Sequence, residues 1–434
     1  MPSPQTTLAL LLGAAIGAAG IIQGLTWKSS AVPQDLTQLQ NQLRIAAEEN
    51  EMLKRENESL RSLAQGGGDL SVPQELIDRV EKDLGLHFIA TPAIQRTTAD
   101  ALRDRISAEI ESRFGPAGLQ DRQESLALIG LLRPADDLLA QLTAAAAVGT
   151  LAWFDEAGGE GWILDKVDLK NIPDQAELLR ILARILLHQH FPPPQDYPGD
   201  EPARAREALF QGAASGVQAR FMAEMARTIG FMPMKENSER EQLLAALAPF
   251  IQGLTNFPNL EGKGYADSLH IMGNPALHAA LRQPPLTTRA IFLPGDSTTT
   301  PTPLDLPATE EQPFLSESLG QLGLRLWLEA LGDVGAAGEI AMDWENDRYV
   351  FFPDGESSSA VLWDIELESP AVTDRLQAIA VNLTAALAGQ QTQGAIGKII
   401  LTEDQRHLLV TRPSPTRLRF LNTAVATTAE NLAK

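Results

Sequence analysis

The chain has 434 residues, 44% of them hydrophobic, with 56 acidic against 35 basic side chains and a formal net charge of −21. That length is enough for two or three domains, and a charge of that sign repels phosphates, which excludes nucleic acid as an expected partner. There is no cysteine, so disulfides, thiol catalysis, Cys-type zinc sites and lipoprotein anchoring are excluded.

In chain order, Leu8–Trp27 reads LALLLGAAIGAAGIIQGLTW, without a charge, and is long enough for a bilayer crossing of ~20 residues. Trp27 and Lys28 suit the interface. Residues 1–30 are read as a transmembrane anchor. A cleaved signal segment ending near Ser29–Ala31 is the alternative, although the basic n-region is missing. Next, Leu36, Leu39, Leu43, Ala46, Asn50, Leu53, Asn57, Leu60 and Ala64 alternate steps of three and four, a heptad seam over residues 34–65. Asn50 and Asn57 fall at a positions, where paired amides favour two parallel strands. The expected partner is therefore a second copy of the chain, in a parallel homodimer. The glycines of QGGGDLSVP make residues 66–73 a flexible linker.

The head begins near residue 74. Thr98–Phe114 has an apolar stripe at steps of four, stopped by Gly115–Pro116. Helices are expected over Ser125–Leu132 and Asp136–Val148, and short strands at Leu151–Phe154 and Gly161–Leu164 around a turn. Glu177–Phe191, ELLRILARILLHQHF, is apolar on nearly every side, which makes it a buried helix. Only Arg180 and Arg184 interrupt its apolar run, at i and i+4 on one face. Ala203–Thr228, Ser238–Gly253 and Phe314–Leu331 read as helices, separated by a Pro/Thr-rich loop over Pro284–Pro313. Residues 74–335 are taken as the helical core. From 336 to 434 the pattern becomes a subdomain with strands at Tyr349–Phe352, Ala360–Leu367, Lys398–Leu401 and Leu408–Thr411, and helices at Val372–Leu387 and Pro415–Leu432. Phosphate-binding Gly-rich loops, a G-x-S-x-G elbow and tandem repeats are missing.

The order of several pieces resembles a zincin-like group of bacterial and archaeal metallopeptidase-type proteins, whose motif is close to H-E-L-x-H-A-L-Q-D-Q-H-F. Gln189, His190 and Phe191 match its closing Q-H-F. Arg180 then falls on the first histidine, Ile181 on the glutamate and Arg184 on the second histidine. Gln211, in ALFQGAA, falls on the acidic third ligand of the group's later A-L-x-E-G-D-A motif. GLLRP (130–134), GTLAWFDEAGGEGWI (149–163), PPLTTRAIFLP (284–294) and DWENDRYVFF (343–352) are similar to further stretches of the group. The resemblance implies an α+β fold: a mostly helical zincin-like head with a small C-terminal antiparallel sheet covered by helices, behind the transmembrane helix and parallel coiled coil.

The residues at the matched positions imply lost chemistry. Arginine stays protonated and offers no lone pair to a metal, Ile181 cannot take a proton from water, and Gln211 carries no charge. A pseudoenzyme is expected, with no catalytic residue, no metal and no cofactor. An unpaired buried arginine is costly, and Glu207, four residues before Gln211, is the candidate partner. Arg180, Arg184 and Glu207 are the candidate anion- or peptide-binding cleft, beside an edge strand able to pair with an extended peptide. The plainer reading makes the two arginines an ordinary polar stripe. The functional expectation is a membrane-anchored, catalytically inactive metallopeptidase-like module that binds or scaffolds a protein or peptide, with its head outside the cytoplasm. The alternatives are a hydrolase using Asp155, Glu156, Glu160, Glu207 or His190, and a purely structural coiled-coil tether.

Overall fold

The computed structural model describes residues 70–194, 199–230, 238–295, 303–309, 311–330, 334–387, 400–402 and 405–432. In chain order these form α1 (Gln74–Leu84), β1 (Ile94–Thr97), α2 (Ala99–Ile129), α3 (Leu138–Ala147), β2 (Ala152–Asp155), β3 (Glu160–Leu164), α4 (Ile172–His190) and α5 (Asp200–Ile229). There follow α6 (Ser238–Ala245), α7 (Pro249–Asn256), a π-helical turn (Pro258–Gly262), α8 (Lys263–Ile271), α9 (Asn274–Arg282) and α10 (Thr288–Phe292). The last part comprises β4 (Leu315–Glu317), α11 (Gly320–Ala330), α12 (Val334–Met342), β5 (Trp344–Pro353), β6 (Ser359–Leu367), α13 (Pro370–Leu387), β7 (Ile400–Leu401), β8 (His407–Ser414), β9 (Arg417–Thr423) and α14 (Ala426–Leu432).

Helix α4 is the pillar of the fold. Pro173 sits in its first turn, where a missing N–H costs nothing, and Asp174 complements the positive end of its dipole. Leu178, Leu179, Ile181, Leu182, Ile185, Leu186 and Leu187 are all at most 1% exposed. Burial of each such side chain contributes roughly 1.5–3 kcal/mol relative to exposure, and that surplus lets the helix hold a charged Arg184 among them. On one side α4 touches β3 at Gly161, where a Cβ would come 2.6 Å from Ile181. On the other it lies antiparallel to α5. Gln218 of α5 donates to Glu177 at 2.6 Å, and Arg184 donates to Glu207 at 2.8 Å farther along.

Two sheets frame this helical body. The smaller has the order β1-β3-β2, with β1 parallel and β2 antiparallel to β3, so β2 is an edge. The larger has six antiparallel strands in the order β4-β5-β6-β9-β8-β7. One face of it joins the main core through Trp344, Trp363 and Phe420, with Trp327 of α11 edge-on to Trp363 at 5.0 Å. Its other face, with Val350, Phe352, Leu362, Leu409 and Leu421, is closed by Ala429 and Leu432 of α14. A buried polar joint ties the body to this sheet. Asp347 of β5 accepts from Leu319 N, Gly320 N and the Trp344 and Trp363 indoles, capping α11. Glu201 of α5 accepts from both N and Oγ1 of Thr288, whose hydroxyl accepts from Leu322 N in α11.

The structure corrects the expected fold class. The chain is mostly helical with a three-stranded mixed sheet and a six-stranded sheet, rather than a head with one small C-terminal sheet. β9 was expected to be the start of a helix over Pro415–Leu432. It is a strand because Arg419, a charge that argues against an inner strand, is neutralised by the fully buried Asp364 on β6. Phe314–Leu331 divides into β4 and α11, with Gly320, at φ 73°, opening the helix. Ser238–Gly253 breaks where Pro249 opens α7. The Gly115–Pro116 stop is a kink, with Gly115 at φ 69° and ψ 161° inside α2.

The membrane expectation is also corrected. Among the described residues no helix is long and apolar enough to cross a membrane. The segments read as anchor (1–30) and as coil (34–65, with Asn50 and Asn57) lie outside the described residues. The single-pass anchor, the membrane partner, the coiled-coil homodimer and the extracytoplasmic head therefore find no support in the described residues.

Candidate functional site

Of the positions matched to the zincin motif, Arg180, Ile181 and Arg184 lie on α4, toward the β2–β3 hairpin and α5, and Gln211 lies on α5. Ile181 is in the core, 1% exposed and packed on Gly161. Arg180 donates to Glu177 at 3.0 Å and to the carbonyl of Ala152 at 2.9 Å. Ala152 belongs to the edge strand β2, so this bond occupies an acceptor that an added peptide strand would need. Gln211 donates to Ser215 and to Asn259 of the π-helical turn, each at 3.4 Å, and makes no hydrogen bond to either arginine.

Arg184 is the centre of the site. Its side chain is 6% exposed, with the guanidinium 5.2 Å from the Phe154 ring centroid. Burial opposes its charge, but the carboxylates of Glu207, Glu156 and Glu109 outweigh that and raise its pKa. These carboxylates come from three further elements: Glu207 from α5, Glu156 from the β2–β3 turn and Glu109 from α2. Glu156 also accepts from Arg206 of α5 at 2.6 Å. Burial works to raise its pKa, yet Arg184, Arg206 and Arg113 bring it below the ordinary value. Glu109 behaves oppositely. Burial, with Asp155, Glu207 and Glu156 nearby, pushes it up to about 7 despite the indole N–H that Trp153 donates at 2.9 Å. The turn that brings Glu156 in depends on Gly159, at φ 66°, where a Cβ would lie 3.1 Å from Nε2 of His188. Burial lowers the pKa of His188, whose ring meets Phe154 edge-on at 5.4 Å. Nη1 of Arg184 and Nδ1 of His188 are buried without a hydrogen-bond partner.

Of the other acid–base candidates, Asp155 and Glu156 stand in this cluster, whereas Glu160 accepts from Gln95 at 3.2 Å and His190 bonds the His87 carbonyl at 2.7 Å. Gln189 accepts from Ile89 N and Ala90 N and donates to Ala90 O, and Phe191 is core. The Gln-His-Phe stretch therefore pins the loop after α1 to the end of α4. Glu109 was not found from the sequence. It lies 75 residues before Arg184 on a different helix, and local spacing carries no sign of it.

Chemically the cluster pairs Arg184 with Glu207 and Arg206 with Glu156, while Glu109, Nη1 of Arg184 and Nδ1 of His188 stand outside those pairs. Among the described residues no group of three or more His, Cys, Asp or Glu could hold a metal ion. No protein-family model, curated protein or solved structure matches the chain. The reading as a membrane-anchored, catalytically inactive metallopeptidase-like module that binds or scaffolds a protein or peptide is accordingly corrected. No described helix can serve as its anchor, no described cluster serves as a metal centre, and the edge carbonyl at Ala152 is already bonded.

Proposed function

We propose that residues 70–434 work without metal-dependent catalysis, as a pseudoenzyme in which the helix pair α4–α5 is a charge-locked structural core. The observation that carries this reading is Arg184, a buried permanent cation bonded to Glu207 at 2.8 Å. A guanidinium there repels a divalent cation and offers it no lone pair. The likeness in motif order to a zincin-like group is part of the same proposal and rests on Gln189, His190 and Phe191 with the arginines upstream. In this reading the lattice of Arg184, Arg206, Glu156 and Glu207 fixes the β2–β3 hairpin against α4 and α5, where a hydrolase would keep an open metal position.

The test is elemental analysis of the full chain, purified without chelator and then dialysed, beside a broad panel of peptide and ester substrates. The expected result is far less than one zinc per chain and no hydrolysis. Stoichiometric zinc that is lost when Glu156 and Glu207 are changed to alanine, accompanied by loss of a measured activity, overturns the proposal.

A further inference from the structure

A groove of about 560 Å³ lies behind this cluster, on the far side of Arg206, between the end of α4, the start of α5 and the end of α9. That volume is in the range of small-molecule sites, ~300–1,000 Å³. Its walls are apolar and stiff: Phe191, Pro192, Pro284, Leu281 and Leu286. Phe191 is core and Leu281 is 1% exposed, so these walls are set by the fold rather than by mobile side chains.

The charged part of the lining consists of Arg206 and Arg282, with His190 beside them, and among the described lining residues there is no carboxylate. In a chain with 56 acidic and 35 basic residues this is a local reversal of charge. The three groups differ in what remains to them. Arg206 is committed to Glu156 and the Phe191 carbonyl. Nε2 of His190 is engaged by the His87 carbonyl. Arg282 is exposed and lies over the Phe191 ring, 5.9 Å from its centroid, with no carboxylate at ion-pair distance among the described residues. It is the cation left for a ligand.

The geometry points to a binding site for a small monocarboxylate with an apolar tail, the tail lying on Phe191, Leu281 and Leu286 and the carboxylate paired with Arg282. A guanidinium presents parallel N–H donors that match a carboxylate's two oxygens. A cationic amphiphile would bring its charge against Arg282 and Arg206. A neutral alcohol of the same length would keep the tail contacts and lose the ion pair.

The site is independent of the metal question and is tested with the full chain by isothermal titration calorimetry. The probes are decanoate, decanol and decyltrimethylammonium, each below its micelle concentration. Saturable binding of one decanoate per chain is expected, with decanol weaker and decyltrimethylammonium not bound. Arg282→Gln is expected to weaken decanoate by up to about fivefold, the worth of an exposed ion pair, and to leave decanol unchanged. Arg282 is exposed, so its variant is expected to keep the parent's melting temperature, and Leu281→Ala gives a second reading by weakening all tail binding. The inference is overturned if decanoate shows no saturable binding, or if it binds Arg282→Gln as tightly as the parent.

Discussion

Removing the two ends of the Arg184–Glu207 pair should not cost the same. Glu207→Ala leaves Arg184, 6% exposed, with one carboxylate fewer. Arginine cannot deprotonate to escape, and an uncompensated buried charge costs ~3–5 kcal/mol when a fully buried pair is broken. Here Glu207 is 42% exposed, which screens part of the pair, and Glu156 remains close to Arg184. The expected cost is therefore about 2 kcal/mol. Arg184→Met removes the cation and its desolvation penalty together, and a flexible apolar chain of similar length takes its place beside Phe154. The carboxylates left behind have outlets. Glu207 is partly in water, Glu156 keeps Arg206, and Glu109 already titrates at about 7. Its cost should be ~1 kcal/mol or less. Urea unfolding at pH 7, followed by circular dichroism, reads the two midpoints against the parent. The ordering is the diagnostic: Glu207→Ala must lie below Arg184→Met. Equal midpoints, or the reverse order, would refute the claim that Arg184 is a locked cation rather than a surface charge.

Other expectations follow from the same geometry. Glu201 is buried and raised to about 7 from 4.5, chiefly by burial. Its folded form holds a proton more tightly than the unfolded chain, so its contribution to stability is full below pH 4.5 and is lost as pH rises through about 7. Glu201→Gln keeps an acceptor for Thr288 and should flatten the fall in melting temperature between pH 5 and 8; an unchanged profile counts against it. Gly212→Ala should destabilise more than Gly161→Ala. The first Cβ meets the backbone of Gly262 at 2.2 Å, which cannot move aside, while the second meets the Ile181 methyl at 2.6 Å; melting temperatures decide. Asp347→Asn turns an amide toward N–H donors that now point at a carboxylate, with an expected loss of roughly 2–3 kcal/mol in urea unfolding.

What could be read from the sequence was what local pattern encodes. α4 is apolar all round, and burial of an all-apolar helix needs no knowledge of its neighbours. The β2–β3 hairpin was visible in two short apolar runs around a glycine turn. The strand β1 was not, since four residues carry little periodicity and its partners in β3 lie 67 residues on, as Ile94 with Gly161. The β9 strand was hidden by Arg417 and Arg419, which are tolerable only because Glu366 and Asp364 stand on the neighbouring strand. α8 and α9 were missed because each is short and buries few apolar residues, Ala266 and Leu269 in one and Leu277 and Leu281 in the other, and their packing depends on contacts such as His278 with the Leu84 carbonyl. At the site, spacing on one helix placed Arg180 and Arg184 together, yet their fates differ. One bonds an edge carbonyl, the other sits in a cluster drawn from three further elements. Glu109 and Arg206 enter that cluster only through tertiary structure.

The most direct test of the central claim is a crystal structure of the protein grown with excess zinc, with anomalous data collected at the zinc edge. Arg184 is expected within about 3 Å of Glu207, as the 2.8 Å contact has it, with no anomalous peak among Glu109, Glu156 and Glu207. A zinc peak bound by those carboxylates, with the Arg184 guanidinium swung away, would contradict it.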